Sequence, residues 1–202
     1  MRKLIWCSLV AFGAGIASAA GATVSDDATV AYEGGRLSMS NAVMRLDFAL
    51  EGGLRRMSWL DRRSDHELFP QPVPDFTLQV NGSTWASDDG EWDVAEPVST
   101  LLQHGEIETR VTLARDGIEV QRVYVFHPGI SLVRGYLNIR NRGRESHRIE
   151  TPPIAQLATG LNRASLFWMS GAECFGDSWL MREEPLGVEQ RVFDSYDAPP
   201  MS

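Results

Sequence analysis

Apolar residues recur at every second position through most of this chain, and a helical period is almost nowhere to be found. Met44, Leu46, Phe48 and Leu50 share one side of a strand, with Arg45 and Asp47 on the other. Phe76, Leu78 and Val80 alternate against Thr77 and Gln79. Ile107, Thr109, Val111 and Leu113 alternate against Glu108, Arg110 and Thr112. Side chains on neighbouring strand positions point to opposite faces, so such runs fit half-buried strands. Turn chemistry separates them: Glu51-Gly52-Gly53, Asn81-Gly82, Arg115-Asp116-Gly117, Pro128-Gly129 and Asn141-Arg142-Gly143. The segment Ile118–His127 is less regular, because Ile118 and Val120 take one parity while Val123 and Val125 take the other. Either a bulge sits near Gln121-Arg122 or both faces of this strand are covered, as by a second sheet.

Short strands spaced by turns every 8–12 residues exclude βαβ units and predict an all-β, antiparallel β-sandwich over residues 24–180. Beyond Thr151-Pro152-Pro153 the ladder breaks. Leu166–Met169 reads as one further strand, and residues 181–202, acidic and ending in Asp197-Ala-Pro-Pro-Met-Ser, read as a linker or the truncated start of a next segment. The sandwich is expected to be incomplete at its C-terminal end.

The N-terminus reads Met-Arg-Lys, then an apolar run from Leu4 to Ile16, then Ala17-Ser18-Ala19, the order of a cleavable signal peptide over residues 1–19. The apolar run is shorter than the roughly 20 residues a bilayer needs, so the mature chain is expected to be exported to the periplasm or medium, with no membrane segment. Removing Arg2 and Lys3 lowers 19 basic residues to 17 against 27 acidic ones, a net charge of −10. That balance does not suit nucleic acid or an anionic membrane as partner. Cleavage also removes Cys7, leaving Cys174 alone, so a scaffold held by intramolecular disulfides is excluded. Cys174, beside Phe175, is expected to be a structural thiol.

The chain has no phosphate-binding glycine loop, no HExxH, no paired CxxC and no GxSxG. No cofactor and no metal is expected. Asp65-His66-Glu67 offers ligand types, but consecutive strand residues cannot all face one ion, and a solvated turn is the expected state. Asp88, Asp89, Glu91 and Asp93 form an acidic cluster that reads as a wet loop, with a calcium site as the alternative. The tryptophans say more, since indole faces stack on sugar rings. Trp85 and Trp92 flank the polar stretch Ala86–Glu91 and are the two expected to be partly exposed.

From Asp116 to Gly143 the pattern becomes specific: strand, Pro128-Gly129 turn, strand, Asn141-x-Gly143 turn. Together with Ser40–Phe48 and Gly53-Leu54, it resembles the N-terminal, galactose-mutarotase-like β-supersandwich of α-galactosidase-type (melibiase-like) glycoside hydrolases. The likeness covers residues 30–150 and rests on strand pattern and turns. It implies a non-catalytic domain supporting a C-terminal (β/α)₈ barrel. A barrel needs about 250 residues, so none is expected within this chain and no catalytic residue transfers. In such enzymes the sandwich lends a loop to the active-site mouth, and Trp59–Phe69 is the corresponding candidate. Trp59, Asp61, Asp65 and His66 within it, with Trp85 and Trp92, are the candidate carbohydrate-contacting residues. A free-standing lectin-like module using Trp85 and Trp92 is the alternative. A third reading, an aldose-epimerase type of enzyme, would need His127 and Glu173 to face one another across a sugar.

Overall fold

The computed structural model describes residues 21–69, 71–150, 164–169 and 181–186, the last two as backbone only. The chain divides into two compact units, Met1–Ala158 and Thr159–Ser202. The segment read as a signal peptide, residues 1–19, and Glu173, Cys174 and Trp179 lie outside the described residues.

The larger unit is an all-β, antiparallel sandwich. Its first sheet runs in the order β1 (Gly21–Ser25), β2 (Ala28–Glu33), β3 (Arg36–Ser40), β4 (Met44–Ala49), β5 (Arg55–Asp61) and β6 (His66–Glu67), with β7 (Val73–Pro74) also on β5. A small sheet follows: β8 (Thr77–Val80) and β9 (Ser83–Ala86) form the Asn81-Gly82 hairpin. The second large sheet has the order β10 (Asp93–Val94), β12 (Ile107–Arg115), β13 (Ile118–Phe126), β14 (Val133–Asn141), with β11 (Val98–Leu101) beside β10 on β12. Finally β15 (Ile149–Glu150) returns to pair with β8. In the second unit, β16 (Ala164–Met169) pairs antiparallel with β17 (Met181–Leu186). The strand expected at Leu166–Met169 lies within β16, and residues 181–186 run as β17.

The period-two pattern maps onto burial. Met44, Leu46 and Phe48 of β4 are enclosed, as are Leu78 and Val80 of β8 and Ile107, Val111 and Leu113 of β12. These side chains join one core cluster that spans both large sheets, and the Phe48 and Tyr124 rings meet across it at 5.0 Å. Each large apolar side chain so enclosed contributes about 1.5–3 kcal/mol.

Strand β13 resolves the parity question. It pairs residue for residue with both neighbours, Ile118↔Arg115 through Phe126↔Ile107 on one side and Ile118↔Asn141 through Phe126↔Val133 on the other, with no bulge. Both faces are covered. Even-numbered residues face the core, and odd-numbered Val123 and Val125 are also buried, flanked by Arg110 and Tyr136 and by Glu108 and Arg134. Hydrogen bonds from Arg110 Nη2 (2.7 Å) and the Tyr136 hydroxyl (3.4 Å) to the Glu108 carboxylate link that outer layer. Among the described residues a bulge lies elsewhere, between β4 and β5, where Asp47 faces Ser58 but Phe48 faces Arg56. The extra residue, Met57, turns both Trp59 and Arg56 to the side of Leu46 and Phe48.

Two small buried residues tie the layers. Asn41 donates from Nδ2 to the carbonyls of His127 and Ile130, both at 2.8 Å, and its Oδ1 accepts from the amides of Val43 and Met44 at 2.9 Å. Ser87 Oγ donates to Leu54 O at 2.6 Å and accepts from the amides of Asp75 and Phe76. Gly53, at φ 151°, passes so close to Ser87 that a Cβ there would overlap the Ser87 carbonyl.

Candidate functional site

Four of the six candidate residues fall on one hairpin. Strands β5 and β6 pair through Leu60↔Glu67 and Asp61↔His66, and residues 62–65 turn between them, with Asp65 in the left-handed region at φ 53°. Asp61 organises this turn: Oδ1 accepts from the Arg63 amide and Oδ2 from the Ser64 hydroxyl, each at 3.0 Å. Those two donors, the amide first, hold its carboxyl below the ordinary value. Asp65 and His66 are exposed. Glu67 instead turns inward, accepting from the amides of Trp59 (2.7 Å) and Phe69 (3.2 Å) and from Ser58 Oγ at 2.5 Å. Trp59 is half-buried, tilted against Phe69 at 5.3 Å, and its indole N–H is enclosed without a hydrogen-bond partner. The hairpin therefore shows solvent a carboxylate, an imidazole and two arginines, while its aromatic face leans inward.

The other two candidates overturn the expectation of exposure. Trp85 and Trp92 are buried, at 9 % and 4 %. Trp85 lies opposite Leu78 in the β8–β9 hairpin, which fixes its side chain on the core face. The stretch Ala86–Glu91 then folds back so that Trp92 meets Trp85 edge-on at 5.8 Å, packs on Phe76 at 6.0 Å and donates its N–H to Ala86 O at 2.7 Å. The flanked loop brings the two indoles together instead of presenting them outward. Arg115 closes the pair, its Cζ 4.3 Å from the centre of Trp85 and 6.0 Å from that of Trp92. A cation over an indole face occupies the position a sugar ring would take.

Three of the four carboxylates in the acidic cluster beside it are paired with arginines. Asp88 meets Arg55 at 2.7 Å, and Asp89 and Glu91 both bind Arg115, Asp89 at 2.5 Å. Among the described residues no three ligand-type side chains gather to hold a metal ion. The two candidate groups also stand apart. Arg55, beside Asp88, opens β5 and Asp61 closes it, a separation of about 20 Å along a strand. His127 is near Glu106, with Nδ1 to Oε1 at 3.9 Å.

Sequence reasoning missed the most unusual polar group of the molecule. Arg122, Asp75 and Tyr124 are buried together in the core. Arg122 Nε stands 2.7 Å from Asp75 Oδ2, an ion pair whose N–H is not aligned on the oxygen, and its Cζ lies 4.8 Å from the Tyr124 ring. Burial first, and the Asp75 carboxylate second, push the Tyr124 phenol well above its ordinary value. A signal was available: the even parity that sends Val120, Tyr124 and Phe126 inward sends Arg122 with them.

No family model matches this chain, and no curated protein or solved structure matches it.

Proposed function

We propose that the sandwich is a non-catalytic accessory domain of an exported carbohydrate-active enzyme, one that supports a separate catalytic barrel in the manner of α-galactosidase-type glycoside hydrolases. The observation that carries this reading is the use made of the aromatic side chains. Trp85 and Trp92, the pair best placed by sequence for sugar stacking, are spent on the core beneath Arg115, which favours a scaffold over a lectin-like module. The motif behind the resemblance supports it too. Asp116-Gly117 and Asn141-x-Gly143 sit at one end of the paired nine-residue strands β13 and β14, and the amides of Arg142 and Gly143 donate to the Gly117 carbonyl at 2.7 and 3.0 Å. The hairpin of Asp61, Asp65 and His66 is then the loop offered towards a sugar held mainly by the barrel.

Calorimetric titration with galactose, galactosyl oligosaccharides and a panel of plant and microbial glycans tests this. A scaffold is expected to show no saturable heat at millimolar sugar. Saturable binding that is lost on replacing Trp59 by Ala would overturn it in favour of a sugar-binding module. N-terminal sequencing of the exported protein is expected to begin within two or three residues of Ala20.

A further inference from the structure

Strand β14 is the least finished part of the sandwich. Among the described residues it pairs with β13 alone and closes its sheet as a nine-residue edge. Such an edge presents a row of unpaired backbone donors and acceptors, a template for another strand. Its core-facing side chains, Val133, Leu137 and Ile139, are only half-buried although they pack on the core. The equivalent positions of β13 are enclosed. The apolar inner face thus runs out towards solvent one strand before it is covered.

Two features specify what would cover it. On the outer face the edge carries Arg134 and Arg140, both exposed, with Arg140 only loosely paired to Glu119 at 3.9 Å, on a chain whose net charge is negative. A second copy pairing antiparallel about Leu137 would set Arg134 opposite Arg140, and like charges directly opposite are destabilising. On the inner face stands Gly135, exposed, with the Arg122 guanidinium directly beneath it. A Cβ on Gly135 would lie 3.0 Å from Nη2 and 3.1 Å from Nη1. The Arg122 side chain is 6 % exposed, and its Nη1 has no hydrogen-bond partner. A buried guanidinium with an unused donor is costly unless something accepts from it. Nη1 itself is enclosed, but Nη2 of the same guanidinium lies nearest Gly135. Because Gly135 contributes no side chain, an added strand would run one strand spacing from that Nη2 edge, within reach of a glutamate.

We propose that β14 is a docking edge for an extended acidic segment of a partner protein, which adds to the sheet as a further strand and seats one carboxylate beside Gly135 on the Arg122 guanidinium. Backbone bonds to the edge supply adhesion. The outer arginines and Arg122 select carboxylates, and alternate apolar side chains of the segment cover Val133, Leu137 and Ile139.

The test is amide hydrogen exchange on the isotope-labelled full chain, read at β14, with a capped peptide of alternating valine and glutamate and its valine–lysine counterpart as probes. The glutamate peptide is expected to slow exchange of the outward β14 amides and to shift the Arg122 Nε–H resonance, and the lysine peptide to do neither. Replacing Arg134 and Arg140 together by Glu, surface changes that leave the core intact, is expected to weaken glutamate-peptide binding about tenfold. Equal protection by both peptides, or by neither, overturns the proposal. So does protection of the outward β14 amides already present in the free protein at all concentrations, which assigns the edge to this chain itself. Protection that grows with protein concentration overturns it in favour of a second copy.

Discussion

Two arginines sit a strand apart in the second sheet, and the protein encloses them by opposite means. Arg115, at the end of β12, lays its guanidinium on Trp85 and turns its two Nη groups to Asp89 and Glu91, carboxylates that water still reaches; Glu91 is 65 % exposed. Arg122, in the middle of β13, is matched by the single carboxylate of Asp75, itself 2 % exposed. The first arrangement keeps the charge near high dielectric and uses the long apolar stem of arginine as a lid over two indoles. The second takes both charges out of water, where attraction is strong but desolvation is of similar size. Removing a partner should therefore be cheap at one end of the sandwich and severe in its middle.

The sharpest break in that comparison is Asp75→Asn, which leaves the Arg122 cation buried without a counter-charge. It is expected to lower unfolding free energy by about 3–5 kcal/mol in urea or guanidinium titrations. The joint replacement Asp75→Leu with Arg122→Met, which removes both charges, is expected to cost far less. A single-site loss under about 1 kcal/mol would mean that water reaches this pair and that the two arginines are equivalent.

Arg115→Ala comes next, at about 1–2 kcal/mol, from the lost cation–π contact and the lost cover over the indoles. Tryptophan emission reports it directly, with a red shift as water reaches Trp85 and Trp92. An unshifted spectrum would mean that the rings are enclosed without the arginine.

How far the chain could be read before folding follows the same division. The strands whose apolar residues alternate against polar ones, β4, β8 and β12, were legible because burial of one face needs nothing beyond a period of two. Arg122 was legible only in part: its even parity, shared with Val120 and Tyr124, points inward, but a cation within an apolar run reads as a solvent-facing residue or a bulge until Asp75, 47 residues earlier, is known to lie against it. Trp85 and Trp92 misled for a related reason. The loop between them is polar, and its carboxylates face Arg55 and Arg115 from distant strands, so local polarity did not predict local exposure. The solvated turn expected at Asp65-His66-Glu67 was misplaced: the turn lies at residues 62–65, closed by Asp61, while His66–Glu67 form β6 and Glu67 turns inward to Ser58 and Trp59 of β5, partners that local sequence does not reveal.

Tyr124 tests the middle of the sandwich by pH. Its phenol is held protonated in the folded state above the ordinary value of 10.0, by burial first and by Asp75 second. The folded state therefore binds this proton more tightly than the unfolded chain does. The associated stability is intact below pH 10 and is lost as the pH rises through the raised folded value. Tyr124→Phe is expected to change little at neutral pH, because the hydroxyl makes no well-aligned hydrogen bond to lose. It should also remove part of the alkaline fall in melting temperature. An alkaline limb unchanged in the variant would place the tyrosine hydroxyl in contact with water.

Asp61 marks the exposed extreme of the same comparison, a carboxylate held by neighbours in its own turn with no burial to amplify them. Its folded value is depressed, so whatever it contributes is present above the unfolded value of 3.8 and is lost as the pH falls through the folded one. Carboxyl-detected NMR titration is expected to give a midpoint below 3.8, moving up towards that value when Ser64→Ala removes one donor. Stability at neutral pH should scarcely change in that variant, since exposed polar contacts of this kind add little to folding. A large loss would show that the β5–β6 turn holds the sheet together and does not merely close a hairpin. That result would also remove the hairpin as a loop free to meet a sugar, because a loop on which folding depends has little latitude to adapt to one.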